Sequence, residues 1–395
     1  MELGVGSYLK KINKSLILSK IIKHAPISRS DLANITKLTK ATISAQVADL
    51  LEEELIIEFQ TEYNSVGRKP VMISLSSNAG YALGIDLDYR DIKFTISDLM
   101  GNQVYSDKVE LKNSNYDEIL HILIRQIRVY QEKYSHSRFG IIGVVVGIHG
   151  TVTNEECISF VPHHRWYNKD LKADIEKNVN IVVNIENNAN LCSFAEKIYK
   201  FHQSKNLISI SMYSGIGIGF LINGELVKGY HGYAGEMGHM IINPNGKPCN
   251  CGNFGCWELY ASEVSFINAL SEKLNKPKLT YEDIGNLVIE RNPAVMDQFD
   301  EFIKNVSIGL NNIINILNPE TLVLNSELLK LFPEAMSLIQ SNLKASISNY
   351  KEIFISDFGT NACVMGACAL AIKNFLEIPE LSLSVEQDEF YNQVI

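Results

Sequence analysis

The stretch YALGIDLDYRDIKFTISDLMG, residues 81–101, predicts a strand, a turn, a second strand and a closing turn. The stretch NLISISMYSGIGIGFLINGELV, residues 206–227, has the same order of elements. One supersecondary unit therefore occurs twice, about 125 residues apart, which predicts two α/β lobes related by pseudo-symmetry. A cleft between two lobes is the natural place for a ligand.

The overall composition is that of a globular protein. The chain of 395 residues is long enough for two or three domains, with 46% hydrophobic and 21% charged residues. Its first stretch, MELGVGSYLKKINK, lacks the apolar segment of a secretion signal, and no apolar window is long enough for a membrane span. We therefore expect a cytoplasmic protein without membrane contact, in which clustered cysteines favour a metal over disulfides.

Charge is unevenly distributed along the chain. Residues 1–50 contain eight Lys or Arg and three Asp or Glu, a net +5, whereas the whole chain carries −9, which leaves −14 for the remainder. A basic head on an acidic body suits binding to a polyanion such as DNA. On charge alone, a casual imbalance of surface residues explains the numbers equally well.

The basic head predicts three helices followed by two strands. A helix over Asn13–His24 is stopped by Pro26, and Ser28-Arg29-Ser30-Asp31 is a capping box for a second, short helix. Thr39 caps a third helix, TKATISAQVADLLEEE, and the strands LIIEFQ and VMISL then flank a loop with Gly67-Arg68-Lys69-Pro70. This order predicts a winged helix-turn-helix; a three-helix packing or dimerisation module is the alternative.

A winged helix-turn-helix presents its third helix to the major groove and its wing to the phosphates or the minor groove. Polar residues of the third helix, basic residues of the wing and Arg29 are therefore the predicted DNA contacts. They are Arg29, Thr39, Lys40, Thr42, Ser44, Gln46, Arg68 and Lys69. We expect a homodimer or a larger homo-oligomer to place two such helices on an inverted repeat of double-stranded DNA.

The segment HMIINPNGKPCNCGNFGC, residues 239–256, holds one histidine and three of the seven cysteines. One imidazole and three thiolates form a ligand set that zinc prefers, and four protein ligands leave no position open for an activated water. The pattern predicts a structural zinc site, with free thiols in a loop as the alternative. Its ligands would be His239, Cys249, Cys251 and Cys256.

Six segments resemble signatures of the ROK family, named for repressors, open reading frames and kinases. They are AGEMGH (234–239), CNCGNFGCWE (249–258), ENNAN (186–190), LNPE (317–320), SRSDLA (28–33) and GRKP (67–70). The resemblance covers nearly the whole chain. It implies an N-terminal winged helix-turn-helix followed by a two-lobed α/β actin-like fold of the ribonuclease-H-like ATPase type, with zinc held by the same four residues.

The domain boundaries follow from the same comparison. We expect a DNA-binding domain over residues 1–77, a first lobe over 78–195 and a second lobe over 196–395. The C-terminal helix is expected to pack back on the first lobe. The zinc site belongs to the second lobe.

The resemblance also implies a sugar site in the cleft. Carboxylates and amides suit this role because each can form several hydrogen bonds with ring hydroxyls. The residues implied are Gly150, Asn187, Asn188, Glu236, His239 and Glu258. Zinc would lie between Glu236 and Glu258, and we expect it to fix their mutual positions.

Several residues depart from the kinases of the family. Asn188 stands in place of the catalytic aspartate, and its amide cannot accept a proton at neutral pH. The phosphate turn, normally Asp-x-Gly-Gly-Thr, is Asp86-Leu87-Asp88-Tyr89-Arg90, in which an extra carboxylate would repel phosphate. A later glycine pair is replaced by Asn325-Ser326. Only SGIGIG, residues 214–219, still resembles a phosphate loop, and its spacing equally suits a tight hairpin.

The residues and the resemblance together predict a sugar-responsive transcriptional repressor and no enzyme, with xylose as the expected effector and release from operator DNA as its effect. Alternatives are an ATP-dependent sugar kinase, a repressor of another sugar or amino-sugar pathway, and a zinc-containing DNA-binding protein that senses no sugar. The family's proline before Gly150 is His149 here, which we expect either to clash with that edge of the sugar site or to rebuild it, so the effector could differ from that of related repressors.

Overall fold

The computed structural model describes residues 5–60, 70–347 and 349–384. These residues form two compact units. The first contains the described residues up to 186 together with 198–202 and 363–384, and the second contains 187–197 and the described residues from 203 to 362. Within these ranges, no helix combines the length and the hydropathy needed to span a bilayer.

The head consists of three helices and a small antiparallel sheet in the strand order β1-β3-β2. Its elements are α1 (Val5–His24), β1 (Ile27–Ser28), α2 (Arg29–Thr36), α3 (Lys40–Glu52), β2 (Ile56–Gln60) and β3 (Val71–Leu75). Ser28 Oγ accepts a hydrogen bond from Asp31 N and Thr39 Oγ1 one from Thr42 N, so both predicted caps begin their helices. Helix α1 begins at Val5, earlier than the predicted Asn13.

The rest of the first unit is built on a five-stranded sheet in the order β11-β7-β4-β5-β6, beside a small sheet β10-β9-β8. Its elements are β4 (Tyr81–Leu87), β5 (Asp91–Asp98), β6 (Gln103–Glu110), α4 (Tyr116–Lys133), β7 (Ile141–Ile148), β8 (Thr151–Val152), β9 (Ile158–Val161), β10 (Trp166–Lys169), α5 (Leu171–Glu176) and β11 (Val183–Asn187). Strand β4 is antiparallel to β5 and parallel to β7.

The second unit is built on a sheet in the order β14-β13-β12-β15-β16. Its elements are α6 (Asn188–Tyr199), β12 (Leu207–Ser211), β13 (Gly217–Ile222), β14 (Glu225–Leu226), α7 (Glu258–Ala261), α8 (Glu263–Leu274), α9 (Tyr281–Ile289), α10 (Pro293–Leu317), β15 (Thr321–Asn325), α11 (Glu327–Lys330), α12 (Ala335–Asn342) and β16 (Glu352–Ile355). Strand β12 is antiparallel to β13 and parallel to β15. The long helix α10 supplies much of the buried apolar surface.

The two five-stranded sheets have the same topology. In each, the first strand of the repeated sequence unit lies at the centre, with its hairpin partner on one side and a later parallel strand on the other. The predicted repeat of two α/β lobes is thereby confirmed.

The last helix, α13 (Ala362–Leu376), lies against the central strand of the first unit. A Cβ on Gly84 would stand 2.4 Å from the carbonyl oxygen of Val364, so only glycine allows this approach. Beyond the helix, Ser15 Oγ of α1 donates to the carbonyl oxygen of Glu377 at 2.8 Å and Ser19 Oγ to that of Glu380 at 3.1 Å. The chain after α13 is therefore bonded to the head.

Candidate functional sites

Four side chains meet in the segment 239–256, as the sequence predicts. The ligand atoms of His239, Cys249, Cys251 and Cys256, here called the His/Cys cluster, all lie within 4.8 Å of one another. His239 Nδ1 is 3.6 Å from Cys249 Sγ, and Cys251 Sγ is 3.6 Å from Cys256 Sγ. One imidazole and three thiols at this spacing fit a tetrahedral metal ion, and no other such group of donors occurs among the described residues.

Two glycines and one tryptophan shape the loop that carries the His/Cys cluster. Gly255 has φ +78°, and a Cβ there would stand 1.8 Å from the carbonyl oxygen of Asn243. Trp257, directly after the last cysteine, is fully buried, and its Nε1 donates to the carbonyl oxygen of Asn305 at 2.8 Å. Its ring packs on Gly309 of α10, where a Cβ would lie 2.0 Å from Cε2. The loop is thus anchored in the core of the second unit.

Two glutamates flank the histidine of the His/Cys cluster. Glu258 Oε1 is 3.4 Å from His239 Nδ1 and 3.3 Å from Cys249 Sγ. Glu236 Oε2 is 3.8 Å from His239 Nε2. The structure therefore brings together the three implied sugar-site residues of this segment, with His239 between the two carboxylates.

The turn over residues 214–219 packs against the same glutamate. It joins the antiparallel strands β12 and β13, whose register pairs Ser211 with Gly217. A Cβ on Gly215 would stand 2.7 Å from Glu258 Oε2, and one on Gly219 would stand 2.3 Å from the carbonyl oxygen of Ala189. Close packing against protein atoms therefore requires glycine at these positions, whether or not the turn binds a phosphate.

The other implied sugar-site residues occupy three different settings. Asn187 Oδ1 accepts hydrogen bonds from Ala189 N and Asn190 N at 2.8 and 3.2 Å, so this amide caps α6. Asn188 is the first residue of that helix. Gly150 belongs to the first unit, where a Cβ would stand 2.3 Å from the carbonyl oxygen of Phe160.

The degenerate phosphate turn of the first unit holds an ion pair that sequence reasoning missed. His149 Nε2 is 2.8 Å from Asp86 Oδ1, and His149 Nδ1 is 3.7 Å from Asp88 Oδ1. Burial acts to lower the pKa of His149, but the two carboxylates outweigh it and raise that pKa to about 9. Histidine in place of the family's proline was the only signal in the sequence.

A second network involves Asn325 and Ser326, which replace a glycine pair of the family's kinases. The buried carboxylate of Glu263 accepts from Ser326 Oγ at 2.6 Å and Leu328 N at 2.8 Å, and it is also bonded to the Tyr281 hydroxyl. Tyr213 Oη donates to Asn325 Oδ1 at 2.8 Å. Nothing in the sequence pointed to Glu263, because its partners Ser326 and Leu328 follow it in the chain by 63 and 65 residues.

The predicted DNA contacts of the head are only partly presented to solvent. Thr39, Lys40 and Ser44 are exposed and Thr42 is half-buried, whereas Arg68 and Lys69 lie outside the described residues. Arg29 donates from Nε and Nη2 to Glu58 Oε1 of β2 at 2.9 and 2.8 Å. Gln46 is 5% exposed, so its prediction as a DNA contact is corrected: it lies on the buried face of α3.

Two sheets of equal topology and a His/Cys cluster flanked by glutamates are the features that define the class of protein to which this chain belongs. The ROK family pattern matches residues 82–374, and the chain belongs to the ROK family. It is 35% identical to the xylose repressor of Bacillus subtilis (strain 168) over 385 residues, which cover 96% of this chain and 99% of that protein.

Solved structures agree on the fold. The crystal structure of a ROK family transcriptional regulator, a homologue of the Escherichia coli MLC protein, matches with a TM-score of 0.80 at 24% identity, covering 93% of this chain and 97% of that one. A ROK glucokinase from Streptomyces griseus, solved with glucose and AMPPNP, matches with a TM-score of 0.65 at 22% identity, covering 74% of this chain and 99% of the kinase. The actin-like fold of the ROK family is therefore that of this chain.

Proposed function

We propose that this chain is a sugar-responsive transcriptional repressor, most specifically one that xylose releases from operator DNA. The observation that carries the proposal is the similarity to a xylose repressor over 96% of the chain, a length that includes the head as well as the body. The three helices and the antiparallel strands of the head support a winged helix-turn-helix, and the domain boundaries at 77 and 195 belong to the same proposal.

In this proposal the head binds DNA through the exposed start of α3. Thr39, Lys40 and Ser44 are accessible there, and Thr42 lies beside them. Arg29 would have to exchange its bond with Glu58 for a phosphate, whereas Arg68 and Lys69 would act from the wing. A homodimer on an inverted repeat would use two copies of this surface.

The His/Cys cluster would hold zinc, and the ion would supply a structural link between the segments before and after the loop. With four protein donors, no position remains for a water to be activated. Glu236 and Glu258, placed on either side of His239, are proposed to bind sugar hydroxyls together with Asn187, Asn188 and the Gly150 loop.

A kinase is disfavoured by the groups that would have to perform the chemistry. Asn188 cannot accept the hydroxyl proton, and Asp88 together with the Asp86–His149 pair occupies the turn that kinases use for phosphate. Asn325 is hydrogen-bonded to Tyr213 and Ser326 to Glu263, whereas glycines at these two positions would leave that space empty.

Repression and release need only a difference in sugar affinity between two states of the protein. A roughly 100-fold preference of the sugar for the DNA-free state corresponds to about 2.7 kcal/mol of coupling. The test is to select an operator from a pool of randomised duplexes and to titrate it by fluorescence anisotropy with and without xylose. Unchanged operator affinity across pentoses, hexoses and amino sugars would refute the effector proposal.

Two controls separate the alternatives. Sugar-dependent ATP turnover that disappears in Asn188→Ala would favour the kinase. Calorimetry without heat for any sugar, combined with tight operator binding, would indicate a zinc protein that binds DNA and senses no sugar. Metal analysis of the intact protein, with Cys251→Ser as the matched variant, tests the zinc site.

A further inference from the structure

A small cavity of about 210 Å³ lies in the second unit between helices α8 and α10, beside the loop that carries the His/Cys cluster. Helix α10 contributes Gln298, Glu301 and Asn305, which lie three and four residues apart and so share one face of the helix. Helix α8 contributes Ser265 and Ala269, one turn apart. Both side chains are small, which leaves space opposite the α10 face.

Gln298 is a buried polar residue at this cavity. It is 7% exposed, and its side-chain amide forms no hydrogen bond with any described residue. A carboxamide has two donor hydrogens and an acceptor oxygen, and leaving such a group buried without a partner costs about 1–3 kcal/mol. A leucine of similar size would avoid this cost. A glutamine at this position therefore indicates a ligand that can both donate and accept hydrogen bonds.

Tyr260 of α7 offers a hydrogen-bond donor to the same cavity. Its Oη accepts from Lys247 N at 2.7 Å and from Asn243 Nδ2 at 3.3 Å, while its own proton has no acceptor within the described part of the chain. The ammonium group of Lys247 also borders the cavity, with Nζ 5.3 Å from the centroid of the Tyr260 ring. A hydroxyl donor beside an ammonium group suits the carboxylate of a ligand.

The cavity also has charged side chains of both signs. Glu272 and Lys273 of α8 and Glu301 of α10 line it, and none of the three forms an ion pair with another described residue. Together with Lys247, the lining contains two ammonium groups and two carboxylates. A simple anion would meet both carboxylates and a simple cation both ammonium groups, whereas a zwitterion can pair with each kind. The volume is below the roughly 300–1,000 Å³ of pockets for drug-sized ligands, so the ligand must be small.

We propose that this cavity binds a free amino acid. Tyr260 and Lys247 hold its carboxylate, Glu301 holds its ammonium group, and Gln298 forms hydrogen bonds with the bound molecule. None of these residues belongs to the His/Cys cluster or to the implied sugar site. Asn243 and Lys247, which are bonded to Tyr260, lie in the loop of the His/Cys cluster, so a bound amino acid should also stabilise that loop.

The test is a thermal-shift screen of the full chain with each of the twenty amino acids, followed by calorimetry with those that raise the melting temperature. At least one should bind, and its N-acetylated and carboxamide derivatives should not. Gln298→Leu should weaken binding at least tenfold and leave the melting temperature without ligand unchanged or higher. Asp297→Asn is the matched control, because Asp297 is the exposed neighbour of Gln298 on α10 and does not line the cavity. This variant should bind like the parent.

The contrary outcomes are equally defined. If none of the twenty amino acids binds the parent, the inference is refuted and the cavity holds water only. Equal affinity of the parent and Gln298→Leu refutes the placement of the ligand in this cavity, and undiminished binding of the N-acetylated derivative refutes the zwitterion. If Gln298→Leu does not fold, Glu301→Gln decides, since Glu301 is exposed: binding should weaken at least tenfold, and unchanged affinity contradicts the inference.

Discussion

His149 should keep its proton to a pH well above that of an ordinary histidine. Its two ring nitrogens face Asp86 Oδ1 at 2.8 Å and Asp88 Oδ1 at 3.7 Å. Burial works against the charged ring, but the carboxylates outweigh it and raise the pKa of His149 to about 9. For Asp86, burial likewise opposes the charge, and the proximity of His149 lowers its pKa nevertheless. The pair is therefore expected to be ionised throughout the neutral range.

The sign of the pH effect follows from these directions. A folded-state pKa of about 9 against 6.5 for an unperturbed histidine means that His149 contributes its full stability below pH 6.5 and loses it as the pH rises through 9. At about 1.36 kcal/mol per pH unit, the contribution is at most about 3 kcal/mol. The contribution of Asp86 is present above pH 3.8 and is lost on acidification, because its pKa is lowered on folding.

The direct assay is an NMR titration of protein with ¹³C-labelled histidine, with His149→Gln to assign the resonance. The resonance should titrate near pH 9 in the parent. Asp86→Asn should bring its midpoint to 6.5 or below, because burial then acts with less opposition. Asp91→Asn is the matched control, since Asp91 is a minor contributor and should lower the midpoint only slightly. A parent midpoint near 6.5, or one unaffected by Asp86→Asn, would refute the reasoning.

Three further predictions test the packing that supports the sites. Gly309→Ala would place a Cβ 2.0 Å from Trp257 Cε2, so it should cost on the order of 1–3 kcal/mol in thermal unfolding, whereas Gly285→Ala, with its nearest contact at 3.8 Å, should be neutral or stabilising. Glu263→Ala leaves several buried donors without an acceptor and should destabilise the second unit by roughly 3 kcal/mol or more, measured by urea denaturation. Ser15→Ala combined with Ser19→Ala removes the two hydrogen bonds between α1 and the chain after α13, each worth at most about 0.5–1.5 kcal/mol. Amide hydrogen exchange in α1 should therefore be faster in the double variant. Equal exchange rates would contradict the conclusion that the chain after α13 holds α1.

Local chemistry explains why much of the fold could be predicted from the sequence. The apolar runs at 81–87 and 141–148 coincide with β4 and β7, because buried strands carry continuous apolar side chains. Ser28 and Thr39 cap helices as predicted, because a hydroxyl at that position satisfies a free backbone amide. The His/Cys cluster was predictable for a similar reason, since its four donors lie within eighteen residues of one another.

Errors arose where residue type was weighed above position. Gln46 follows Ile43 by three residues and precedes Leu50 by four, so helical periodicity places it on the buried face of α3 despite its polar side chain. The bond between Arg29 and Glu58 joins two elements that are adjacent only after folding. No local pattern encodes such pairs, and the same holds for His149 with Asp86 and for Glu263 with Ser326.

The glycine turn at 214–219 shows how far a motif can carry a functional argument. Its spacing suits a phosphate loop and a hairpin equally, and the structure supplies a sufficient packing reason for its glycines. A Cβ added to Gly217 would stand 3.0 Å from the Cβ of Ala189. A Cβ on Gly219 would meet the backbone of Ala189, and one on Gly215 would meet the side chain of Glu258. Because packing alone demands these glycines, they are no evidence for nucleotide binding. The choice between kinase and repressor therefore depends on groups that would perform chemistry, and Asn188 and Asp88 are the wrong ones for phosphoryl transfer.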